Sequence, residues 1–160
     1  MNVRPATAAD VPVVAAILDE ATAYVKTKGR DQWRVPFPQG ELRERVERGE
    51  LYVVDVGGET AATFTLLHED PFFWGARPPD AVYLHKLAVR RQFAGRRLGE
   101  LVVAWVADEA ARRGRQFVRL DCQRDLPGIR EYYERLGFEL RGEKENGRFA
   151  WALYERRVAA

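Results

Sequence analysis

Apolar side chains recur at helical spacing in three stretches of the chain. Val14, Ile17, Leu18, Ala21 and Val25 form one stripe, Leu101, Val102, Trp105 and Val106, counted from Leu98, a second, and Ile129, Tyr132, Tyr133 and Leu136 a third. The first predicts a helix capped by Thr7 or Asp10 and running to about Lys28, with Pro12 tolerated in its first turn. Gly114 and Gly137 close the other two, and the charged segment "ELRERVERGE" predicts a short helix stopped at Gly49. The runs "NVRPAT", "LYVVDV", "ETAATFTLL", "AVYLHKLAV", "QFVRLDC", "FELRGEK" and "RFAWALYERR" have strand character. Gly57-Gly58 and Asn146-Gly147 predict tight hairpin turns, and "GRDQWRVPFPQG" and "HEDPFFWGARPPD" predict loops rich in proline.

Read in order, these elements are a strand, two helices, three strands, a helix, a strand, a helix and two strands, which predicts an α/β (α+β) chain. The strand, helix, strand unit from Val82 to Cys122 predicts a right-handed crossover between parallel strands. No repeat or linker divides residues 1–160, so one domain is expected.

Composition narrows the function. Hydrophobic residues make up 46% of the 160, enough for a core, and 26 basic against 24 acidic residues leave a net charge of +2, which argues against coating a polyanion. The single cysteine, Cys122, excludes an internal disulfide, and two histidines offer no zinc-site spacing, so no metal is implied. No apolar run approaches the roughly 18 residues of a membrane span, and the first residues lack a secretory pattern, so a cytoplasmic protein is expected.

Basicity does cluster in "VRRQFAGRRLGE", residues 89–100, where Arg90, Arg91, Arg96 and Arg97 surround a turn that opens a helix. Unpaired N–H groups and the partial positive charge of a helix start attract anions, and Gly95 permits close backbone approach, so a phosphate is the natural occupant. A solvated arginine patch is the alternative. The Walker and dinucleotide patterns both fail here, although Asp121 ends a strand where a ribose-binding acid would stand.

The same stretch resembles the phosphate loop of the GCN5-related N-acetyltransferases, which bind the pyrophosphate of acetyl-CoA between a strand and a helix. The usual pattern is Gln or Arg, two variable residues, Gly, one variable residue, then Gly or Ala. This chain aligns with it as Ala94, Gly95, Arg96, Arg97, Leu98 and Gly99, preceded by Leu87, Ala88 and Val89. Gly99 keeps the last position, Ala94 replaces the Gln or Arg, and Arg97 replaces the middle Gly. "YYERLGFE" is similar to the family's second signature, with Tyr133 in the tyrosine place, and Leu126 stands where many relatives carry Asn. "YLHKLAV" resembles the arylalkylamine N-acetyltransferases, where a histidine in this strand is implicated as a base; His85 holds that place.

The resemblance implies a mixed, mostly antiparallel sheet of about seven strands flanked by about four helices. It implies acetyl-CoA as co-substrate, held by residues 87–89, 94–99, Leu126 and Tyr133, and an amine acceptor. It also implies roles. His85 would take the amine's proton, the Leu87 N–H would meet the acetyl oxygen, and Tyr133 would act as the acid. Glu69 or Asp70 could instead activate a water. Trp33, Phe72, Phe73 and Trp74 would line the acceptor pocket or pack as a lid on the core, and Asp121 adds a carboxylate. Cys122 reads as a small buried hydrophobe, since direct attack needs no acyl-enzyme. The alternatives are an acyl-CoA sensing module without catalysis and, after it, a nucleotide-binding domain. The acceptor is open, and the closing hairpin is available to pair across a homodimer.

Overall fold

The computed structural model describes residues 1–159 and contains seven strands in one mixed sheet, ordered β1-β2-β3-β4-β5-β7-β6. The expected α/β class holds. Contacts gather into two compact units, one of residues 1–66 and 86–99, the other of 67–85 and 100–159.

In the first unit β1 (Asn2–Pro5) pairs antiparallel with β2 (Leu51–Val56), and β2 with β3 (Glu59–Leu67). The β2–β3 turn is Gly57-Gly58, with φ of +60° and +82°, the backbone a primed turn demands. Helix α1 (Val11–Lys26) follows a 3-10 turn at Ala8–Asp10, whose entry is locked by Asp10. Asp10 Oδ2 accepts from the Thr7 N–H at 2.7 Å, and both its oxygens accept from Arg4. The hydrogen-bonded guanidinium of Arg4 holds the Asp10 carboxyl down at about 2. The stripe Val14, Ile17 and Leu18 is buried with Leu42 of α2 (Gln39–Glu47) and with Leu51 and Val53.

The second unit is built on β5 (Phe117–Gln123). It pairs in parallel with β4 (Ala81–Val89) from Ala81↔Phe117 to Leu84↔Leu120, and antiparallel with β7 (Ala150–Arg157), which carries the edge strand β6 (Glu139–Glu145). Helix α4 (Leu98–Arg112) buries Val102, Val103, Val106 and Ala110. Leu101, expected on that stripe, is 45% exposed.

Two expectations require correction. The segment "HEDPFFWGARPPD" is not all loop: Pro71–Trp74 form a one-turn helix, α3, because Asp70 caps it by accepting from the Phe73 N–H and Pro71 suits the first turn. It raises the helix count to five, ending with α5 (Ile129–Arg135). The closing hairpin turns one residue later than expected: the Asn146 N–H donates to the Phe149 carbonyl, which pairs those two residues and leaves Gly147 and Arg148 at the tip, while Asn146 Oδ1 accepts from the N–H groups of Arg148 and Phe149. No helix among the described residues is long and apolar enough to cross a membrane.

Candidate active site

The parallel ladder between β4 and β5 ends at Leu84↔Leu120, so His85 and Asp121 are the next residues along each strand and their side chains fall side by side. His85 Nδ1 lies 3.3 Å from Asp121 Oδ1. On the other side of the ring, His85 Nε2 is 2.8 Å from Asp70 Oδ2. Asp70 is in place because α3 lies on this face of the sheet. Residues Tyr83 and Arg119 precede His85 and Asp121 by two positions, point the same way, and carry Trp74 of α3 over them, with ring centroids 6.3 Å apart for Trp74–Tyr83 and the Arg119 guanidinium 5.3 Å from Trp74. A histidine bracketed by two largely buried carboxylates is the result. Asp70 is the carboxylate that meets His85, whereas Glu69 is exposed. Ligand atoms of Asp70, His85 and Asp121 lie within 4.8 Å of one another, near enough to enclose one cation, but the 2.8 Å contact already sets Asp70 against His85.

Aromatic rings adjoin the histidine. Phe73 lies 6.1 Å from the His85 ring and 5.1 Å from Trp151, which meets Phe72 at 6.3 Å and stacks on Phe149 at 5.8 Å. Lys144 lies over the Phe72 ring and donates to the Phe72 carbonyl. Trp151 and Phe149 were not among the expected site residues, although their spacing of two, directly after Asn146-Gly147, puts them on one face of an extended chain. Of the expected aromatic lining, Phe73 is beside His85, whereas Trp74 is buried in the core and Trp33 packs edge-on against Phe37, 6.5 Å away, in the core of the first unit. Both serve packing.

Tyr133 is buried on α5 against Tyr132 and Phe138. Burial pushes its hydroxyl pKa well above the usual tyrosine range, and Cys122, Tyr132 and Asp121 push it in the same direction. Burial also pushes the Cys122 thiol up to about 12, reinforced by the Asp121 charge.

In the first unit, β4 runs on through Leu87, Ala88 and Val89, after Lys86 at φ +51°. Ala88 is buried in the core there. A 3-10 turn at Arg91–Phe93 then leads into the exposed Ala94, Gly95, Arg96 and Arg97, with Leu98 buried and Gly99 half-buried at the start of α4. Gly95 has φ +81° and no atom within 4 Å of where a Cβ would stand. Two arginines of the loop also make contacts within the protein. Arg90 donates to the Thr60 carbonyl and Arg91 stacks on Tyr24 at 3.8 Å. Arg96 leans 5.0 Å from the Phe93 ring, beside a hollow of about 300 Å³ lined with Gln92 and Glu59. In the second unit, Leu126 is tied into the turn after β5, its N–H donating to the Gln123 carbonyl and its own carbonyl accepting from Ile129.

Residues 16–138 match the Acetyltransferase (GNAT) family. The chain belongs to that family. It is 28% identical over 164 residues to the uncharacterized N-acetyltransferase YesJ of Bacillus subtilis, covering 98% of this chain and 89% of YesJ. A GNAT-family acetyltransferase from Listeria monocytogenes superposes with a TM-score of 0.81 at 25% identity, covering 98% of this chain and 94% of its own. YncA of Salmonella typhimurium, solved with its cofactor acetyl-CoA, has the same fold, with a TM-score of 0.71 at 16% identity over 100% of this chain and 95% of YncA. This GNAT chain is thus an acetyltransferase. One departure from the usual GNAT loop acquires a physical meaning in the structure: Arg97, in the middle Gly place, takes φ +59°, a conformation free to glycine and costing other residues about 1–2 kcal/mol.

Proposed function

We propose that the protein transfers the acetyl group of acetyl-CoA to a primary amine by direct attack while both substrates are bound. The observation that carries this reading is His85 held between Asp70 and Asp121 at 2.8 and 3.3 Å. An amine of pKa about 10.4 is protonated at pH 7, at a cost of roughly 4.6 kcal/mol to neutralise it, so a proton acceptor beside the amine is the first requirement. His85 fills that role. Asp121, next to it, attracts the incoming ammonium, and the ring faces of Phe73 and Trp151 favour a cation with an apolar body.

Acetyl-CoA supplies the activated thioester. Residues Ala94, Gly95, Arg96, Arg97, Leu98 and Gly99 hold its phosphates with backbone N–H groups at the start of α4, and the open space at Gly95 suits close approach. The N–H of Leu87 is assigned to the acetyl oxygen, where charge gathers during attack. Tyr133 keeps its proton at every working pH because burial raises its pKa, so its hydroxyl serves the sulfur as a hydrogen-bond donor when the C–S bond breaks. The Cys122 thiol, pushed up to about 12, stays protonated, which supports direct attack over an acyl-cysteine route.

Calorimetric titration with acetyl-CoA, with NAD and ATP as controls, followed by thiol release in the presence of amines, tests the reading. Selective binding of acetyl-CoA and amine-dependent release are expected. Binding without release across small amines, polyamines and lysine peptides would favour a sensing module, and no binding would remove the reading altogether. Tyr133→Phe is expected to lower kcat roughly tenfold to a hundredfold while the Kd for acetyl-CoA holds. An unchanged kcat would take Tyr133 out of the reaction.

A further inference from the structure

We infer that Asp70 is a positioning residue that holds the neutral His85 ring as its Nε2–H tautomer, leaving Nδ1, beside Asp121, as the atom that takes the acceptor's proton. This rests on the acetyl-transfer reading for the identity of the proton, but not for the tautomer. A carboxylate can accept hydrogen bonds and cannot donate them. The 2.8 Å contact between Asp70 Oδ2 and His85 Nε2 is therefore a hydrogen bond only if the hydrogen sits on Nε2. A neutral imidazole has one N–H, so the lone pair is then on Nδ1, 3.3 Å from Asp121 Oδ1.

Asp70 is itself immobilised. Its side chain is 8% exposed, its other oxygen accepts from the Phe73 N–H at 3.4 Å as the cap of α3, and Trp74 pins that helix over Tyr83 and Arg119. The Phe73 ring beside His85 restricts the imidazole further. The proton balance closes within this group. The ammonium drawn to Asp121 gives one proton to Nδ1, and the electron pair of that N–H bond becomes the lone pair that attacks. The ring then carries a hydrogen on each nitrogen, and each N–H faces a carboxylate, Asp70 on one side and Asp121 on the other.

Asp70→Asn is the decisive substitution. Asparagine caps a helix as well as aspartate does, so α3 is retained. Its amide has only one oxygen, which the Phe73 N–H engages, and its NH2 then faces Nε2 and needs a lone pair there. The expected result is a switch of His85 to the Nδ1–H tautomer, read from ring 15N shifts and long-range 1H–15N correlations between pH 6 and 9.5. The chain has only two histidines, and His68→Gln assigns the signals. In steady-state assays, kcat is expected to fall on the order of 100-fold with the Kd for acetyl-CoA unchanged. A wild-type ring found as Nδ1–H would overturn the inference even if no variant folded. So would an Asp70→Asn protein that keeps the wild-type tautomer, whatever its kcat. The spectra are recorded on the free protein. A wild type that shows the Nε2–H ring yet acetylates no amine would count against the functional reading and uphold the tautomer.

Discussion

Replacing His85 by alanine is expected to lower kcat at pH 7 by on the order of 10² to 10⁴-fold, the range over which a positioned proton acceptor contributes. The loss should shrink as pH rises. At pH 7 neutralising an amine of pKa about 10.4 costs roughly 4.6 kcal/mol, and at pH 10 about 0.5 kcal/mol, so the need for a base almost disappears. Rates of thiol release for wild type and His85→Ala, measured from pH 6.5 to 10 with one amine, should therefore converge at the alkaline end. Parallel profiles, offset by a constant factor, would mean that His85 shapes the site without taking the proton. A profile unchanged from wild type would move the base to another residue. The side chain sits among packed groups, so His85→Gln, closer in size, accompanies the alanine variant and separates a packing defect from lost chemistry.

Arg119→Ala is expected to destabilise the fold by about 3–5 kcal/mol, the cost of removing one partner from a buried ion pair. Arg119 is 2% exposed in the middle of β5. Its Nε donates to Glu155 at 2.8 Å, and its Nη1 donates to the Tyr83 hydroxyl at 2.8 Å and to Asp80 at 3.0 Å. The guanidinium also lies 5.1 Å from the Phe117 ring and 5.3 Å from Trp74. Alanine would leave Glu155, 8% exposed, with Arg141 at 3.2 Å as its remaining cation, and would take the support from beneath Trp74. Urea unfolding should show a midpoint lower by about 1–3 M at the usual slope for a protein of this size. The double variant Arg119→Met with Glu155→Leu should recover most of the loss, since an apolar pair of similar volume leaves no buried charge behind. A single-variant loss below about 1 kcal/mol would show that Arg141 alone satisfies Glu155. Because Trp74 anchors the helix that Asp70 caps, a folded Arg119 variant should also lose activity through the site that α3 completes.

Much of this architecture is legible from periodicity and turn chemistry. The stripe of Val14, Ile17 and Leu18, the Gly57-Gly58 turn and the apolar run Ala81–Val89 each encode their element locally, because side-chain spacing and positive φ are properties of a few consecutive residues. The one-turn helix at Pro71–Trp74 escapes such reading because a single turn has no period, and its cap, Asp70, is as much a loop residue as a helix signal. The one-residue shift of the closing turn to Gly147-Arg148 escapes it because Asn146 binds the N–H groups of Arg148 and Phe149 with its side chain and the Phe149 carbonyl with its own N–H, and so ends the strand instead of entering the turn.

By itself, then, the sequence determined the order of strands and helices apart from α3, the family, and the candidates His85, Tyr133 and the loop from Ala94 to Gly99. Only the tertiary structure decided that Asp70 and not Glu69 meets the histidine, that Phe149 and Trp151 belong with Phe73, and that Arg90 and Arg91 are engaged by the protein itself. The reason is physical. Periodicity tells which face of an element is apolar, but which carboxylate or ring arrives there depends on register and helix placement, and those are settled by packing among residues far apart in the chain: Leu84 against Leu120, and Trp74 over Arg119.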